Sequence, residues 1–418
     1  MSRQSYCAPI VIVGASLSGV QAAETLRAEG YSGEIVMLSE ENAQPYDRPP
    51  LSKEVLCEPD LPGSIPLRER SFYNEQHIEL RLGRAVTAID ILNKQVSISD
   101  GSRLVYDKLL LTTGSRVRQI DRFPYGADHV HYLRTIDDAL KLRREMAGLG
   151  DKGHMLIVGA GIIGLEVAAA AIKLQLKVTV VEVGLRPLAR AASPYLAEFL
   201  TKAHIDRGVD IQCDSEIVEA NAVSDGFDVV LSSGGRLHAN IVVVGVGVVP
   251  NLELAKTAGI ETSSLGIRVD GRGRSSVEDV FAAGEVAFHF NGHYGVHRRD
   301  ETWQHAASHG SHVARCMLGA TDVYDEPMSY WTDQYEYSVQ VFGNPLGDRD
   351  VVRGEPQRGS FTVFHMDGQS ICGVTAVNAA KQMRKCKPLV MTSASIPDDV
   401  LRNLELDPSL YRCPENQS

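Results

Sequence analysis

Runs of apolar residues recur along this chain in two copies of one arrangement. Residues 9–40 pass from a continuous apolar strand at residues 10–13, through a glycine turn and an alanine-rich helix, into a second apolar strand at residues 34–38. Residues 154–182 repeat that order. Unbroken β-branched strands beside alanine-rich helices are typical of parallel sheets covered by crossover helices. The pattern therefore predicts an α/β protein with two Rossmann-like βαβ units.

Shorter patterns predict the elements between and after these units. Three strand-like segments after the first unit predict an antiparallel addition, and one apolar segment is predicted to end the second unit as a single strand. Alternating apolar and polar positions from about residue 326 onward predict a separate, mostly antiparallel domain. In chain order, these segments are residues 85–89, 95–99, 108–112, 241–249, 338–342 and 361–364.

The composition is that of an ordinary globular protein, with 44% hydrophobic and 23% charged residues. No apolar run approaches the roughly 18 residues that span a bilayer. The short apolar run near the N-terminus lacks a small-residue cleavage signal, so we expect no membrane association and a cytoplasmic location. The net charge of −11 argues against nucleic acid as the main partner, because phosphate binding needs a basic surface.

The seven cysteines are widely scattered, without a C-x-x-C pair or a closely spaced metal cluster. In a reducing compartment this spacing predicts free thiols, most of them small core residues, and no metal site. They are Cys7, Cys57, Cys213, Cys316, Cys372, Cys386 and Cys413.

The second glycine turn has the full dinucleotide spacing. Gly159, Gly161 and Gly164 follow a strand and open a helix, where glycines allow a tight turn and close approach of a pyrophosphate to free backbone amides. Glu182 ends the next strand. A carboxylate there accepts hydrogen bonds from an adenosine ribose and repels a 2′-phosphate, which favours NAD over NADP. The alternative is a solvated acid at a strand end.

The first glycine turn departs from the pattern at one position. Gly14 and Gly19 keep their places, but Ser16 stands where the second glycine is expected. The serine weakens the motif without abolishing it. Glu40, at the end of the following strand, is the ribose candidate, and Glu41 beside it is a nearly equal rival.

Two dinucleotide sites in one chain have a simple chemical interpretation. One holds a permanent flavin dinucleotide (FAD) and the other a diffusing nicotinamide dinucleotide, so that hydride passes between the rings. A non-enzymatic protein that only senses the two nucleotides is the alternative.

Further motifs resemble one known family. Residues 45–53, Pro-Tyr-Asp-Arg-Pro-Pro-Leu-Ser-Lys, are similar to a segment of the ferredoxin reductases that serve Rieske-type oxygenases and haem-thiolate monooxygenases. The resemblance covers essentially the whole chain. Five more segments match in the family's own order, at residues 110–115, 244–251, 280–285, 301–303 and 331–334.

The resemblance implies the glutathione-reductase-like architecture. A discontinuous FAD-binding domain then takes residues 1–117 and 250–325, and an NAD-binding domain takes residues 118–249. A C-terminal α+β interface domain takes residues 326–418. The oligomeric state stays open between monomer and homodimer.

The resemblance also implies roles for single residues. Arg48 and Lys53 would lie along the flavin, and Glu166 would pair with Lys53 near the reactive nitrogen. Trp331 would lie where nicotinamide and flavin meet, with Trp303 nearby. Each has a structural alternative: a surface cation for Lys53, a dipole-favoured first-turn carboxylate for Glu166, and core or interface aromatics for the tryptophans.

Other matched positions are expected to contact cofactor. Two departures bear on them, since the family usually has aspartate where Glu285 stands and often glutamine where His309 stands. The expected cofactor contacts in these segments are Thr113, Gly114, Gly247, Gly284 and Glu285.

The function implied by the resemblance is an NADH-dependent oxidoreductase that reduces FAD and passes single electrons to a two-iron ferredoxin feeding an oxygenase. Rubredoxin reductase and a monodehydroascorbate-type reductase are the alternatives with the same fold. Disulfide reductases need a relay pair of thiols, and this sequence has no such pair of cysteines, so they are excluded. Cys57 is the only redox-cysteine candidate in the relevant region, and we expect it to be unreactive.

Basic residues stand out against the acidic chain in two places. An acidic ferredoxin is predicted to dock on them because opposite charges steer association. A solvated polar face is the alternative. The residues are Lys381, Arg384, Lys385 and Lys387, with Arg298 and Arg299 as further candidates.

Overall fold

The computed structural model describes residues 8–58, 61, 65–150 and 153–411. Cys7 and Cys413 lie outside the described residues. The chain divides into two compact units, which are described separately. Unit 1 comprises Met1–Asp47, Gly63–Arg116 and Val248–Met328, and unit 2 comprises Arg48–Pro62, Val117–Gly247 and Ser329–Ser418.

A five-stranded parallel sheet forms the centre of unit 1. Its three inner strands are short and mostly buried, because both faces are covered and all of their residues but one, Lys108, are apolar. The strands are β1 (Ile10–Val13), β2 (Ile35–Leu38), β3 (Ile78–Arg81), β7 (Lys108–Leu111) and β19 (Val280–Ala282), in the order β19-β7-β1-β2-β3.

One strand of this sheet corrects the sequence analysis. Residues 108–112 were expected in an antiparallel addition, but β7 pairs in parallel with β1, with Leu109 opposite Val11. The reason is its unbroken leucine run, which suits a strand buried on both faces rather than one that alternates. The antiparallel addition is formed instead by β4 (Val86–Asp90), β5 (Gln95–Ile98) and β6 (Arg103–Val105).

Helices pack tightly against this sheet. An added Cβ at Gly310 would lie 2.4 Å from the Ser18 carbonyl oxygen, so glycine lets two helices touch at the backbone. The helices of unit 1 are α1 (Leu17–Ala28), α3 (Arg70–Glu75), α7 (Glu253–Thr257) and α8 (Trp303–Met317). Its remaining strands are β8 (Ser115–Val117), paired with β17 (Val248–Pro250), and the sheet of β18 (Ile267–Val269), β20 (Ala287–Asn291) and β21 (Val296–Arg298).

Unit 2 contains a second parallel sheet with the same local order of strand, glycine turn and helix. Thr135 and Asp138 form a capping box that begins the first of its long helices. The strands are β9 (Val130–Tyr132), β10 (His154–Val158), β11 (Lys177–Val181), β12 (Asp210–Gln212) and β16 (Ile241–Val244), in the order β12-β11-β10-β16-β9. The helices are α2 (Glu54–Cys57), α4 (Ile136–Leu149), α5 (Ile162–Lys173) and α6 (Pro194–Ile205).

The segment 241–249, predicted as one strand, is two. β16 ends at Val244, and Gly247 then adopts a φ of +102°, which L-residues rarely adopt. The chain resumes an extended course only in β17. A small antiparallel sheet precedes this segment, built from β13 (Ile217–Val223), β14 (Gly226–Leu231) and β15 (Arg236–Ala239).

The C-terminal part of unit 2 is an antiparallel sheet with a helix on its apolar face, as the alternating pattern predicts. Buried Met383 and Val390 of the helix share a core with Phe364 of the sheet. The strands are β22 (Ser329–Gln334), β23 (Tyr337–Gly343), β24 (Arg349–Glu355), β25 (Ser360–Asp367) and β26 (Ser370–Val377), in the order β22-β23-β26-β25-β24. The helices are α9 (Ala380–Met391) and α10 (Asp398–Arg402). No helix in the described ranges is long and apolar enough to cross a membrane.

Candidate functional site

The first glycine turn, in unit 1, has the backbone that a dinucleotide phosphate needs. Gly14 adopts a φ of +110°, and an added Cβ there would lie 2.3 Å from the carbonyl oxygen of Thr112. A Cβ at Gly19 would lie 2.1 Å from the Gly14 oxygen. Ser16 is the N-cap of α1, whose first amides are free of intrahelical partners. This tight turn at a helix N-terminus fits a pyrophosphate.

The two ribose candidates at the end of β2 differ in their surroundings. Tyr46 donates a 2.6 Å hydrogen bond to the Glu41 carboxylate. Glu40 is exposed. The geometry therefore favours Glu40 over Glu41 as the residue that receives a ribose.

The turn after β19 holds both departures from the family pattern. The Gly284 amide donates to His309 Nδ1 at 3.1 Å, so the imidazole serves as a buried acceptor. The Arg299 guanidinium donates to the Glu285 carbonyl at 2.8 Å and lies 3.8 Å from its carboxylate. Glu285 is thus held by a neighbouring cation in the same turn.

Other predicted positions in unit 1 are fixed by side-chain hydrogen bonds. The Asn251 side chain donates to the Thr113 carbonyl at 2.8 Å, and the Asn251 amide donates to the Gly114 carbonyl at 3.0 Å. Trp303, the first residue of α8, donates from Nε1 to Asp47 at 2.6 Å. These bonds hold the two segments in place without using the indole face of Trp303.

The second glycine turn, in unit 2, is tightly packed at its first and third glycines and has free space at its second. Added Cβ atoms at Gly159 and Gly164 would lie 2.6 Å from the Gly245 oxygen and 2.2 Å from the Gly159 oxygen. A Cβ at Gly161 would meet nothing within 4 Å. Packing within the protein therefore does not require glycine at position 161, and the space beside it suits the approach of a phosphate.

Glu182 lies beside this turn, with its carboxylate held by the backbone. One oxygen accepts from the Ala160 amide at 2.8 Å and the other from the Gly184 amide at 2.7 Å. Each carboxylate oxygen has a second lone pair, so both remain able to accept from ribose hydroxyls. Val183, next in the chain, is 71% exposed and offers apolar surface at the same place.

A buried carboxylate organises a second part of unit 2. Glu166 is only 4% exposed, and Lys53 Nζ lies 3.4 Å from its Oε1. The Thr332 hydroxyl donates to the same oxygen at 2.6 Å, and the Ser52 hydroxyl donates to Oε2 at 2.5 Å. The three partners come from the turn at Pro49–Ser52, the residue after it, and β22.

Burial and the partners of Glu166 act in opposite directions on its acidity. Burial raises the pKa of the Glu166 carboxyl above its ordinary value and is the larger effect. The positive charge of Lys53 and the hydrogen bonds from Ser52 and Thr332 lower that pKa. The pKa of the Glu166 carboxyl is therefore raised by burial, and its three partners favour the charged form.

Lys53 has further neighbours on the same side. Its Nζ lies 3.6 Å from the Asp333 carboxylate and 5.9 Å from the centre of the Trp331 ring. Arg48, at the other end of the same turn, donates to the Arg134 carbonyl at 2.5 Å. The structure thus brings Lys53, Glu166 and Trp331 together, as the resemblance implies.

Sequence reasoning missed Ser52, Thr332 and Asp333 as members of this set. Ser52 adjoins Lys53, Thr332 adjoins Trp331, and Asp333 is two positions from Trp331, so nearness in sequence was a usable signal. The hydroxyl contacts themselves join residues 114 and 166 positions apart, and no single-sequence pattern records a contact of that span.

Cys57 is held away from redox chemistry. Its thiol donates to the Ala170 carbonyl at 3.7 Å, and burial raises the pKa of the thiol, which lowers the reactive thiolate fraction. This supports the expectation that Cys57 is unreactive. In the described part of the chain the cysteines are free thiols: Cys57, Cys213, Cys316, Cys372 and Cys386.

Three buried histidines form a cluster that sequence analysis did not anticipate. Ring nitrogens of His289, His305 and His309 lie within 4.8 Å of one another. Burial lowers the pKa of His309, so its ring is neutral, and Nδ1 accepts from Gly284. The proton therefore sits on Nε2 and leaves no lone pair for an ion there. We assign no metal to this cluster.

Comparison with known proteins agrees with this geometry. The family model described as "Pyridine nucleotide-disulphide oxidoreductase" matches residues 8–310, and the model "Reductase C-terminal" matches residues 329–408. The chain is 41% identical over 394 residues to the ferredoxin–NAD(+) reductase component of the anthranilate 1,2-dioxygenase system of Burkholderia cepacia, covering 93% of this chain and 95% of that protein.

Two solved structures are similar over almost the whole chain. A ferredoxin reductase from Rhodopseudomonas palustris has a TM-score of 0.91 and 33% identity, covering 96% of this chain and 98% of that one. The structure of a covalent putidaredoxin reductase–putidaredoxin complex has a TM-score of 0.89 and 32% identity, covering 95% and 96%.

This chain belongs to the pyridine nucleotide-disulphide oxidoreductase family. The relatives that it resembles over almost their full length include a ferredoxin–NAD(+) reductase component and a ferredoxin reductase. The predicted fold class, two Rossmann-like domains with a C-terminal α+β domain, is confirmed, as are the predicted family resemblance and the class of oxidoreductase.

Replacing the cation beside Glu166 tests the electrostatics. In Lys53→Met the pKa of Glu166 rises further, because the charge that lowers it is gone. A folded-state pKa above the unfolded value of about 4.3 costs stability as pH rises through that interval. The free energy of unfolding of the variant is therefore expected to fall below that of wild type by about 1–3 kcal/mol more at pH 8 than at pH 5. Denaturant unfolding at the two pH values measures this difference.

Lys385→Met is the matched control. Exposed Lys385 pairs with half-buried Asp407, whose pKa is lowered to about 2 by that pair and by Ser409. Its contribution is fully present above the unfolded pKa of Asp407, so its effect is flat between pH 5 and pH 8. A Lys53→Met effect that is equally flat contradicts the charge assignment of Glu166.

Proposed function

We propose that this chain takes hydride from NADH onto bound FAD and passes electrons singly to a two-iron ferredoxin that feeds an oxygenase. The supporting observation is similarity over almost the whole chain to a ferredoxin–NAD(+) reductase, together with the pairing of Lys53 with buried Glu166 and a sequence without a closely spaced pair of cysteines. When bound, FAD supplies the chemistry, since a flavin accepts two electrons as hydride and releases them one at a time.

Residues of unit 1 are proposed to hold FAD. Gly14, Ser16 and Gly19 present the α1 amides to the pyrophosphate, and Glu40 accepts from the adenosine ribose. The further contacts proposed from the matched segments are Thr113, Gly114, Gly284, Glu285 and Trp303. Because Arg299 lies beside Glu285, it orients the longer side chain that replaces the family's aspartate.

NAD is proposed to bind at the second turn. Gly159, Gly161 and Gly164 admit its pyrophosphate, and Gly247, which has a φ of +102°, is a further proposed contact. Glu182 accepts from the ribose hydroxyls and repels a 2′-phosphate, so NADH is the preferred coenzyme.

Lys53, Glu166 and Trp331 are the proposed catalytic group, with Arg48 as a further flavin contact. The Lys53 ammonium supplies a fixed positive charge where charge develops on the reduced ring, and Glu166 holds the ammonium in place. Trp331 provides an aromatic face beside the ammonium. Within this group, burial shields the Glu166 carboxylate from water.

Two broader assignments are part of the proposal. The domain division is FAD-binding for residues 1–117 and 250–325, NAD-binding for residues 118–249, and interface for residues 326–418. The location is the cytoplasm, where NADH is available and where the thiols of the described residues stay reduced.

A single-turnover measurement tests this function. Anaerobic mixing with NADH is expected to bleach the flavin, and subsequent mixing with an oxidised two-iron ferredoxin is expected to restore it in two one-electron steps. NADH is expected to exceed NADPH about 100-fold in kcat/KM because Glu182 repels the 2′-phosphate. Faster reoxidation by rubredoxin or by monodehydroascorbate than by any ferredoxin overturns the acceptor assignment.

Glu182→Gln is the control for the coenzyme assignment. The amide keeps the shape and removes the charge, so the preference for NADH is expected to fall while NADH still reduces the flavin. An unchanged ratio means that Glu182 does not set the preference.

The proposed ferredoxin-docking face is the exposed side of α9. Lys381, Arg384, Lys385 and Lys387 are all exposed there. Of these, Lys385 pairs with Asp407 at 2.7 Å, and Lys387 lies 5.0 Å from the centre of the Phe342 ring. The cluster therefore keeps its positive charges at the surface of an acidic chain.

The two arginines suggested as further docking residues do not fit that role. Arg298 is paired with Asp300 at 2.6 Å and lies over the ring of Tyr294. Arg299 has a side chain only 9% exposed and bonds to Ser115 and Glu301. Both arginines form ion pairs within unit 1: Arg298 with buried Asp300, and Arg299 with Glu285 and Glu301.

Charge reversal tests the docking face. The double variant Lys381→Glu and Lys387→Glu is expected to slow ferredoxin reduction about tenfold or more at low salt and to flatten its salt dependence, leaving ferricyanide reduction unchanged. Lys256→Glu, an exposed lysine of α7, is the matched control. Equal salt dependence in the double variant and wild type places the ferredoxin elsewhere.

A further inference from the structure

The hydrogen bonds to Glu166 continue into the interior of unit 2. Thr332, which donates to Glu166, lies 3.1 Å from Gln334 Nε2, and Gln334 Oε1 lies 2.9 Å from His204 Nε2. The Tyr335 hydroxyl lies 2.8 Å from His204 Nδ1. Five side chains thus form one unbroken series that ends on the carboxylate.

The interior members of this series are buried. His204 is 0% exposed, Gln334 1% and Thr332 2%. Helix α6 supplies the histidine and β22 supplies the other two. Buried polar side chains in a series polarise one another, and each bond constrains the next because no water is available as a substitute partner.

When Glu166 is ionised, as in its salt bridge with Lys53, its charge fixes the direction of every bond in the series. An ionised carboxylate only accepts, so the Thr332 proton points to it and Thr332 must accept from the Gln334 amide nitrogen. Gln334 then presents its oxygen to His204, whose proton must be on Nε2. His204 Nδ1 is left to accept from the Tyr335 hydroxyl.

We propose that His204 is a positioning residue for the proposed catalytic group. It acts through Gln334 and Thr332 to keep Glu166 ionised beside Lys53. This inference rests on the proposed function. His204 touches no reacting atom, and its effect is carried by the orientation of the Gln334 amide. With the amide reversed, Thr332 would donate to Gln334 and its proton would be lost to Glu166.

Charged groups around the series support a neutral His204. The Arg207 guanidinium lies 4.3 Å from the centre of the Tyr335 ring and pairs with Glu336. Burial and, to a smaller extent, the charge of Arg207 lower the pKa of His204, while the bond to Gln334 raises it. At the other end, Glu166 faces Lys53, which in turn faces Asp333.

Removing the donor on His204 has a predictable sign. In His204→Phe the Gln334 oxygen loses its partner, so the amide no longer holds Thr332 in the donating orientation. One bond that lowers the pKa of Glu166 is weakened, and that pKa rises. Glu166 is then protonated at a higher pH, and the Lys53 ammonium loses its anchor there.

Two measurements on the holoenzyme test the proposal. In the pH profile of single-turnover flavin reduction by NADH, the acidic limb of His204→Phe is expected about one pH unit above that of wild type, while the plateau rate changes little. His204→Gln can place an amide N–H towards Gln334, so its acidic limb is expected to return most of the way to the wild-type position. Nitrogen NMR of histidine-labelled protein, assigned with His204→Phe, is expected to show a proton on Nε2 of His204.

His154→Phe is the matched control for lost stability. His154 is also buried in unit 2, with Nε2 3.0 Å from Thr179, but it has no part in the series. It is expected to lower the unfolding midpoint without moving the acidic limb. A His204→Phe limb that coincides with wild type, or an Nδ1–H tautomer of His204, overturns the proposal. Failure of wild type to be reduced by NADH would instead overturn the proposed function.

Discussion

The carboxylate of Glu166 is the constraint on which the central part of unit 2 depends. A buried charge costs several kcal/mol unless it is paired and hydrogen-bonded. Lys53, Ser52 and Thr332 meet that requirement from three separate stretches of chain. Helix α5, the turn at Pro49–Ser52 and strand β22 must therefore converge at one point, and a shift in any of them would cost the carboxylate at least one of its partners.

The position of Glu166 also links the proposed catalytic group to the second glycine turn. Helix α5 begins at the second glycine turn, so the segment that we propose to receive the pyrophosphate also carries Glu166. The position of the carboxylate relative to the turn is then set by helix geometry. The proposed nucleotide contact and the partner of the Lys53 ammonium therefore lie on one short stretch of backbone.

Much of the fold was predictable because it depends on local patterns. The two βαβ units follow from unbroken apolar strands and from glycines such as Gly14 and Gly159, whose φ values other residues rarely adopt. Prediction failed in two places where local signals were present but misinterpreted. The leucine run of β7 suits a strand that pairs in parallel with β1 and β19 inside the sheet, and Gly247, with a φ of +102°, interrupts the segment that follows β16. The hydroxyls of Ser52 and Thr332 were missed since their partner lies far along the chain.

The most direct test is a double-mutant cycle on the rate of hydride transfer from NADH to the flavin. Wild type, Lys53→Met, Glu166→Gln and the double variant are compared in single-turnover reduction. If the two residues act as one group, each single change slows the step by a similar factor, and the double variant is no slower than the slower single variant. Rate losses that multiply in the double variant would contradict the account.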